Sequence, residues 1–344
     1  MPEKKYRAGI IGCGRIAHLF AKDNKRKGVV THAQAYIEDP DTELVAVCDI
    51  DREKVEEFGK RWNTGALYTD HNEMLREEGL DIVSVCTPPG SHFEVANDAI
   101  SSGVKAVFCE KPVSFSLKEG DDLVNSAKES NTVFAVNHLR RWDPFINRVA
   151  DYIHGGELGE IRSVDCYYTA GICNTGTHMI DLVRMLTGGE IKAVNALKGK
   201  KEESGDFTID AVLGFTNGFN CFLHGLDVKD YLMFEIDIIG SRGRIRLYDN
   251  TTKAELWTSG TSQAMTGYKV PIKQDHDFGE RQGSLIDLGL RRIIKAIEEG
   301  NGEYCDAEDG LKAMEGAIGI IDSFKDNGAE KIMPLQNREL TIGS

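Results

Sequence analysis

A short apolar run, Ala8-Gly9-Ile10-Ile11, breaks into Gly12-Cys13-Gly14 and passes at once into helix-like sequence beginning Arg15-Ile16-Ala17. Nothing else in the chain restricts its fold so tightly. Glycines at 12 and 14 let the main chain turn sharply and approach a ligand, and a small residue at 17 lets a helix pack on the preceding strand. The start of that helix then offers unpaired N–H groups and a partial positive charge, a setting that suits a diphosphate. Gly12, Gly14, Arg15 and Ile16 are therefore candidate contacts for a dinucleotide.

The sequence that follows keeps a steady rhythm. Buried-strand runs at residues 43–49, 81–87, 105–109 and 132–136 alternate with helical stretches at 52–62, 72–78 and 92–102. That alternation predicts an α/β unit of parallel strands, a Rossmann-type doubly wound sheet, with ligand-facing residues at the strand C-terminal ends. Gly12, Asp49, Pro88 and Lys111 would then share one rim. Asp49 ends the second strand, where a carboxylate accepts both ribose hydroxyls of NAD and repels the 2′-phosphate of NADP. A basic insertion, Lys25-Arg26-Lys27, stretches its distance from the glycines beyond the usual ~20 residues. It is a solvated loop or a contact near the cofactor, and Arg52 leaves NADP possible.

Beyond residue 136 the pattern changes. Residues 137–144 read as a crossing, Asp143-Pro144 as a helix start, and a helix runs to His154. Alternating segments at 163–169, 193–197, 207–215, 220–226, 232–239 and 243–248, with Gly and Asn turns between them, predict a large, mostly antiparallel open sheet. Two helices follow, at 285–298 and 307–325, the second with a packing face through Leu311, Met314, Ala317, Ile318 and Ile321. The expected division is 1–136 for dinucleotide binding and 137–344 for an α+β domain of substrate binding and oligomerisation.

Five stretches, AGIIGCGRIA, VAVCDID, VSVCTPPGSH, CEKPVS and CNTGTHMIDLV, occur in an order and at spacings that resemble the glucose-fructose oxidoreductase, inositol dehydrogenase and MocA family. The resemblance covers nearly the whole chain. It implies that Lys111 is catalytic, that a cis bond precedes Pro112, and that Thr87, Pro88, His92, Glu110 and Lys111 line the cofactor. It also implies dimers or tetramers formed through the sheet. Lysine between a buried strand and a proline is costly unless it has work to do.

Asn174, His178 and Asp181 fall at helical spacing and share a face. His178 is the candidate general base, with Lys111 either donating a hydrogen bond to the same oxygen or taking over as the base; Asp181 reads as an orienting carboxylate, and Asn174 and Arg141 as candidate substrate contacts. Arg141 reads equally as an ion-pair residue at the domain junction. Members of the family often carry aspartate where this chain has Asn174, and an amide holds a hydroxyl but cannot accept its proton.

The expected activity is hydride transfer between NAD and a secondary alcohol of a sugar, sugar nucleotide or cyclitol. One rival is an NADPH-dependent keto-sugar or imine reductase, and another is a redox sensor that binds the dinucleotide without turnover. The net charge of −14 argues against a nucleic-acid partner, and eight cysteines without C-x-x-C spacing argue against a zinc site or disulfide framework. No apolar leader or bilayer-length stretch is evident, so a cytoplasmic homo-oligomer with neither metal nor membrane is expected.

Overall fold

The computed structural model describes residues 5–281, 284–300, 302 and 304–343. The chain forms two compact units, residues 1–143 with 283–311, and residues 144–282 with 312–344. The first boundary thus lies at Asp143 rather than at 136. Residues 283–311, expected in the second domain, belong to the first.

The first unit opens with β1 (Tyr6–Ile11), α1 (His32–Glu38), β2 (Thr42–Cys48), α2 (Arg52–Trp62), β3 (Ala66–Tyr68) and α3 (His71–Glu77). It continues through β4 (Ile82–Val85), α4 (His92–Ser101), β5 (Ala106–Cys109), α5 (Leu117–Ser130) and β6 (Val133–Val136). The six strands pair in parallel in the order β3-β2-β1-β4-β5-β6. The winding reverses between β1 and β4, the switch point at which ligands bind outside the strand ends in such sheets. Ile10, Val47, Val83, Val107 and Phe108 are almost wholly buried, as strands covered on both faces must be.

The helix expected directly after Gly14 is interrupted. One turn forms, with the His18 N–H donating to the Gly14 carbonyl at 3.2 Å, and a short 3-10 turn follows at Leu19–Lys22. The helix resumes only at α1, where the His32 and Ala33 N–H groups donate to the carbonyls of Ile16 and Ala17 at 3.2 and 3.0 Å. The insertion is therefore a loop spliced into one helix. Bonding from each residue to the fourth before it makes the excursion about a dozen residues long. Discounting it returns Asp49 to near its usual spacing.

The second unit contains α6 (Pro144–His154), β7 (Ile161–Thr169), α7 (Thr177–Thr187), β8 (Ile191–Lys201), β9 (Phe207–Phe215), β10 (Asn220–Leu226), β11 (Phe234–Gly240), β12 (Gly243–Tyr248), β13 (Lys253–Thr261) and β14 (Lys269–Gln274). Then α8 (Leu285–Glu299) returns to pack on α1, β5 and β6 of the first unit, and α9 (Ala307–Lys325) precedes β15 (Lys331–Ile332). The nine strands run β14-β13-β12-β11-β7-β10-β9-β8-β15, with only β7 and β10 parallel. Along α9, Met314, Ala317, Ile318 and Ile321 are buried, as their spacing predicts.

One face of this sheet carries Val164, Cys166, Ile236, Ile238, Ile245 and Leu247, all buried. The other is a lattice of cross-strand charge pairs rather than a broad apolar surface. Arg246 meets Glu235 at 2.9 Å, Arg244 meets Asp237, and Arg244 stacks on Trp257 at 4.9 Å. All eight cysteines are free thiols. No helix among the described residues is long and apolar enough to cross a membrane.

Candidate active site

The ladder of the first sheet runs one residue past its strands. The N–H groups of Gly12, Cys86 and Glu110 donate to Cys48, Ile11 and Val85 at 2.7, 2.7 and 2.9 Å, which aligns the four loops that follow β1, β2, β4 and β5. Gly12 has φ +99°, and a Cβ there would stand 2.6 Å from the Cys86 carbonyl. Only glycine fits that turn. At Gly14 the nearest atom to a built Cβ is 3.9 Å away, so the space beside it is open.

Asp49 holds the loop from the side. One carboxylate oxygen accepts the Cys13 N–H at 2.7 Å and the other accepts the Asp51 N–H at 3.0 Å. Each oxygen keeps a further lone pair for a ligand hydroxyl. Ile50 beside it is 94% exposed, an apolar residue offered to solvent at the rim. Thr87 Oγ1 is buried with no hydrogen-bond partner among the described residues. An open cradle at Gly14, a fixed carboxylate and an orphaned hydroxyl fit a bound dinucleotide.

Lys111 follows β5 and is joined to Pro112 by a cis bond. Beside it Glu110 is half-buried, and its Oε1 lies 3.1 Å from His32 Nε2 and 2.6 Å from Asn137 Nδ2. Burial opposes ionisation of this carboxyl. The His32 and Asn137 hydrogen bonds and the Lys111 charge outweigh burial and hold it below the ordinary carboxylate range. His92 is 1% exposed, with Nδ1 2.7 Å from the Pro112 carbonyl and Nε2 2.8 Å from that of Thr87. It ties the β4 loop to the β5 loop, and burial pushes its ring below the ordinary histidine value.

In the second unit a π turn, Ile172–Gly176, leads into α7. Asp206 holds its start, accepting the N–H groups of Cys173 and Asn174 at 3.0 and 3.1 Å. Gly171, at φ +86°, makes room, since a Cβ there would overlap the Asp206 carboxylate. Asn174 is exposed on the turn and His178 is half-buried in the first turn of α7. Asp181 lies 3.7 Å from Arg184, which also makes a fork to Glu190 at 2.8 and 3.0 Å.

Residues 6–138 match the NAD-binding Rossmann fold of the GFO_IDH_MocA oxidoreductases, and residues 169–332 match that family's C-terminal alpha/beta domain. The chain belongs to the GFO/IDH/MocA oxidoreductase family. Among its relatives is scyllo-inositol 2-dehydrogenase (NAD(+)) of Bacillus subtilis, 25% identical with 97% of each chain covered. Another is D-glucoside 3-dehydrogenase of Escherichia coli, 24% identical over 87% of this chain and 93% of that one. An inositol dehydrogenase homologue from Azotobacter vinelandii, crystallised with NADH and myo-inositol, has the same fold. It covers 96% of this chain and 98% of its own, with TM-score 0.78 and 21% identity.

Within this family frame the expected site residues take distinct places. Gly12, Gly14, Arg15, Ile16, Asp49, Thr87, Pro88, Glu110 and Lys111 lie on the strand-end loops of the first unit. His92 stands behind those loops with both ring nitrogens on main-chain carbonyls, so it braces the rim instead of facing a ligand. Of the two readings of Arg141, the structure shows the ion pair, a fork to Asp309 at 2.8 and 2.9 Å. Asp181 pairs with Arg184. His32, Ser84, Tyr36, Asn137 and Trp142, which bear on Glu110, are additional, and so is Asp206. A buried-strand serine and a histidine opening a helix were the only sequence signals for the first group.

Proposed function

We propose that the chain reversibly oxidises a secondary alcohol of a sugar, sugar nucleotide or cyclitol with NAD. The observation that carries this is Lys111 at the end of β5, on the same sheet rim as the Gly12 turn and its Asp49 brace. The dehydrogenase activities named for the inositol and glucoside relatives support the substrate class.

Gly14, Arg15 and Ile16 are assigned to the diphosphate, Asp49 to the adenosine ribose, and Ile50 to an adenine face. Thr87, Pro88 and Glu110 are assigned to the nicotinamide half. Asp49 supports NAD over NADP, and Arg52, the nearest candidate for a 2′-phosphate, is engaged by Glu56 at 3.1 Å. Bound NAD supplies the hydride acceptor. His178 takes the proton of the substrate hydroxyl, and the Lys111 ammonium donates a hydrogen bond to the same oxygen, stabilising its developing charge. Asn174 holds a neighbouring hydroxyl.

Titration with NAD and NADP should give the tighter binding to NAD, and a panel of cyclitols, sugars and nucleotide sugars should yield NADH absorbance with at least one class. Tighter binding of NADP would overturn the cofactor assignment, and a panel without turnover would overturn the activity.

The charge-paired face of the nine-stranded sheet, where Ile239 beside Arg244 is 39% exposed, is proposed to join copies into a homodimer or homotetramer. Sedimentation should give two or four times the chain mass, and a monomer would refute it.

A further inference from the structure

The π turn at Ile172–Gly176 and α7 run on as one helix, and that helix has no capping side chain of its own. Its first internal bonds run from the Thr175 and Gly176 N–H groups to the Gly171 carbonyl at 3.1 and 3.0 Å. The Cys173 and Asn174 N–H groups therefore precede every carbonyl that could serve them within the helix. Such donors are the ones that a serine, threonine, asparagine or aspartate at the head of a helix satisfies. The residue in that place is Gly171, and Asp206, from the turn between β8 and β9, supplies the carboxylate instead. Its Oδ1 accepts the Cys173 N–H at 3.0 Å and its Oδ2 the Asn174 N–H at 3.1 Å.

Both sides of this contact are shaped for it. A side chain at Gly171 would overlap the Asp206 carboxylate, and φ +86° there favours glycine in any case. Asp206 is itself held, because its Oδ1 also accepts the Phe207 N–H at 2.7 Å and its carbonyl accepts the Glu202 N–H at 2.7 Å. Its negative charge suits the head of a helix, where the main-chain dipoles leave a partial positive charge. The other side-chain ties of the turn act on carbonyls rather than on these N–H groups. The Thr175 hydroxyl donates to the Thr169 carbonyl, and the Thr177 hydroxyl to those of Cys173 and Asn174 at 3.3 and 3.1 Å. The main chain of Asn174 is thus oriented by a residue 32 positions away.

We propose that Asp206 is a positioning residue for substrate, capping the helix from outside so that Asn174 is presented to hold a substrate hydroxyl. This rests on the role given to Asn174 above. His178 lies four residues further on, inside the regular bonding of α7, and keeps its place when the cap is lost. Loss of Asp206 therefore falls on the grip on substrate and spares the proton transfer.

The test uses the whole chain with myo-inositol, D-glucose and UDP-N-acetylglucosamine as probes. For each probe that the wild type oxidises, Asp206→Ala should raise KM about tenfold, the size of a lost helix cap, while kcat and the NAD dissociation constant change less than about twofold. A purely structural role would do the reverse, lowering kcat through loss of folded enzyme at constant KM. Asp206→Asn keeps the shape but turns an amide N–H toward one of the two donors, so KM should rise about threefold; it serves if Asp206→Ala does not fold. Without substrate, amide exchange at Cys173 and Asn174 should quicken about tenfold in the alanine variant and stay unchanged in α7 beyond His178. An unchanged KM in a folded variant, a fall in kcat alone, or unaltered exchange overturns the proposal. A wild type that oxidises no probe refutes the activity, and the role of Asp206 toward substrate with it, so the two failures are distinguishable.

Discussion

Gly12→Ala is expected to raise the dissociation constant for NAD by at least about 100-fold and to lower the melting temperature, whereas Gly14→Ala should lose the affinity alone. At Gly12 the methyl would meet the Cys86 carbonyl carbon and oxygen at 2.6 Å and the Thr87 nitrogen at 2.7 Å, all main-chain atoms of the adjoining β4 loop. A side chain at φ +99° is strained before any contact is counted, by about 1–3 kcal/mol. The loop has to move, and it carries the Cys13 N–H away from Asp49 and disturbs the Cys86–Ile11 bond that aligns β4 with β1. Each factor of ten in affinity needs only about 1.4 kcal/mol, so a modest displacement is enough.

Gly14 separates folding from binding. Its φ is ordinary and its nearest neighbour is 3.9 Å off, so alanine there disturbs nothing in the free protein. The methyl does occupy the space assigned to the diphosphate. Isothermal titration and thermal melting of both variants give the comparison. NAD affinity retained by Gly14→Ala would remove the glycine turn from the cofactor site.

The rim was legible because its strands are covered on both faces. Continuous apolar runs such as Ile82-Val83 and Ala106-Val107-Phe108, each ended within a few residues by proline, leave little else to form. Asp49 was found by its place at a strand end although its spacing was wrong, and the splice between Ala17 and His32 accounts for the excess. The support of Glu110 was not legible. His32 is 52 residues from Ser84 and 78 from Glu110 in sequence, and they meet because β4 and β5 are neighbours beneath α1. Single polar residues in apolar runs carry no sign of such partners.

A similar limit explains the domain boundary. The apolar stripe of α8 requires that the helix bury a face, and it is silent on which sheet receives it. The last strands of the second unit were missed because β13 and β14 are mostly polar and β14 contains Pro271. That proline is tolerated because β14 is the edge of the sheet.

The largest catalytic effects are expected from Lys111→Ala and His178→Ala. Each should lower kcat by about 10²–10⁴-fold, the range for loss of a positioned proton-transfer group or oxyanion donor. NAD affinity should change only a few-fold, since the assigned binding contacts lie on the Gly12, Asp49 and Thr87 loops. The two losses differ in their response to pH. Without His178 the hydroxyl proton goes to solvent, so the residual rate should climb with rising pH while the Lys111 ammonium still stabilises the oxygen. Without Lys111 the rate should instead level off once the His178 ring is neutral, because the base that takes the proton is then fully present. The double variant should be no more than slightly slower than either single one, since groups that serve one proton transfer do not contribute independently. Normal turnover in both single variants would place the chemistry elsewhere on the chain, and a fully multiplicative double variant would mean that the two residues serve separate steps.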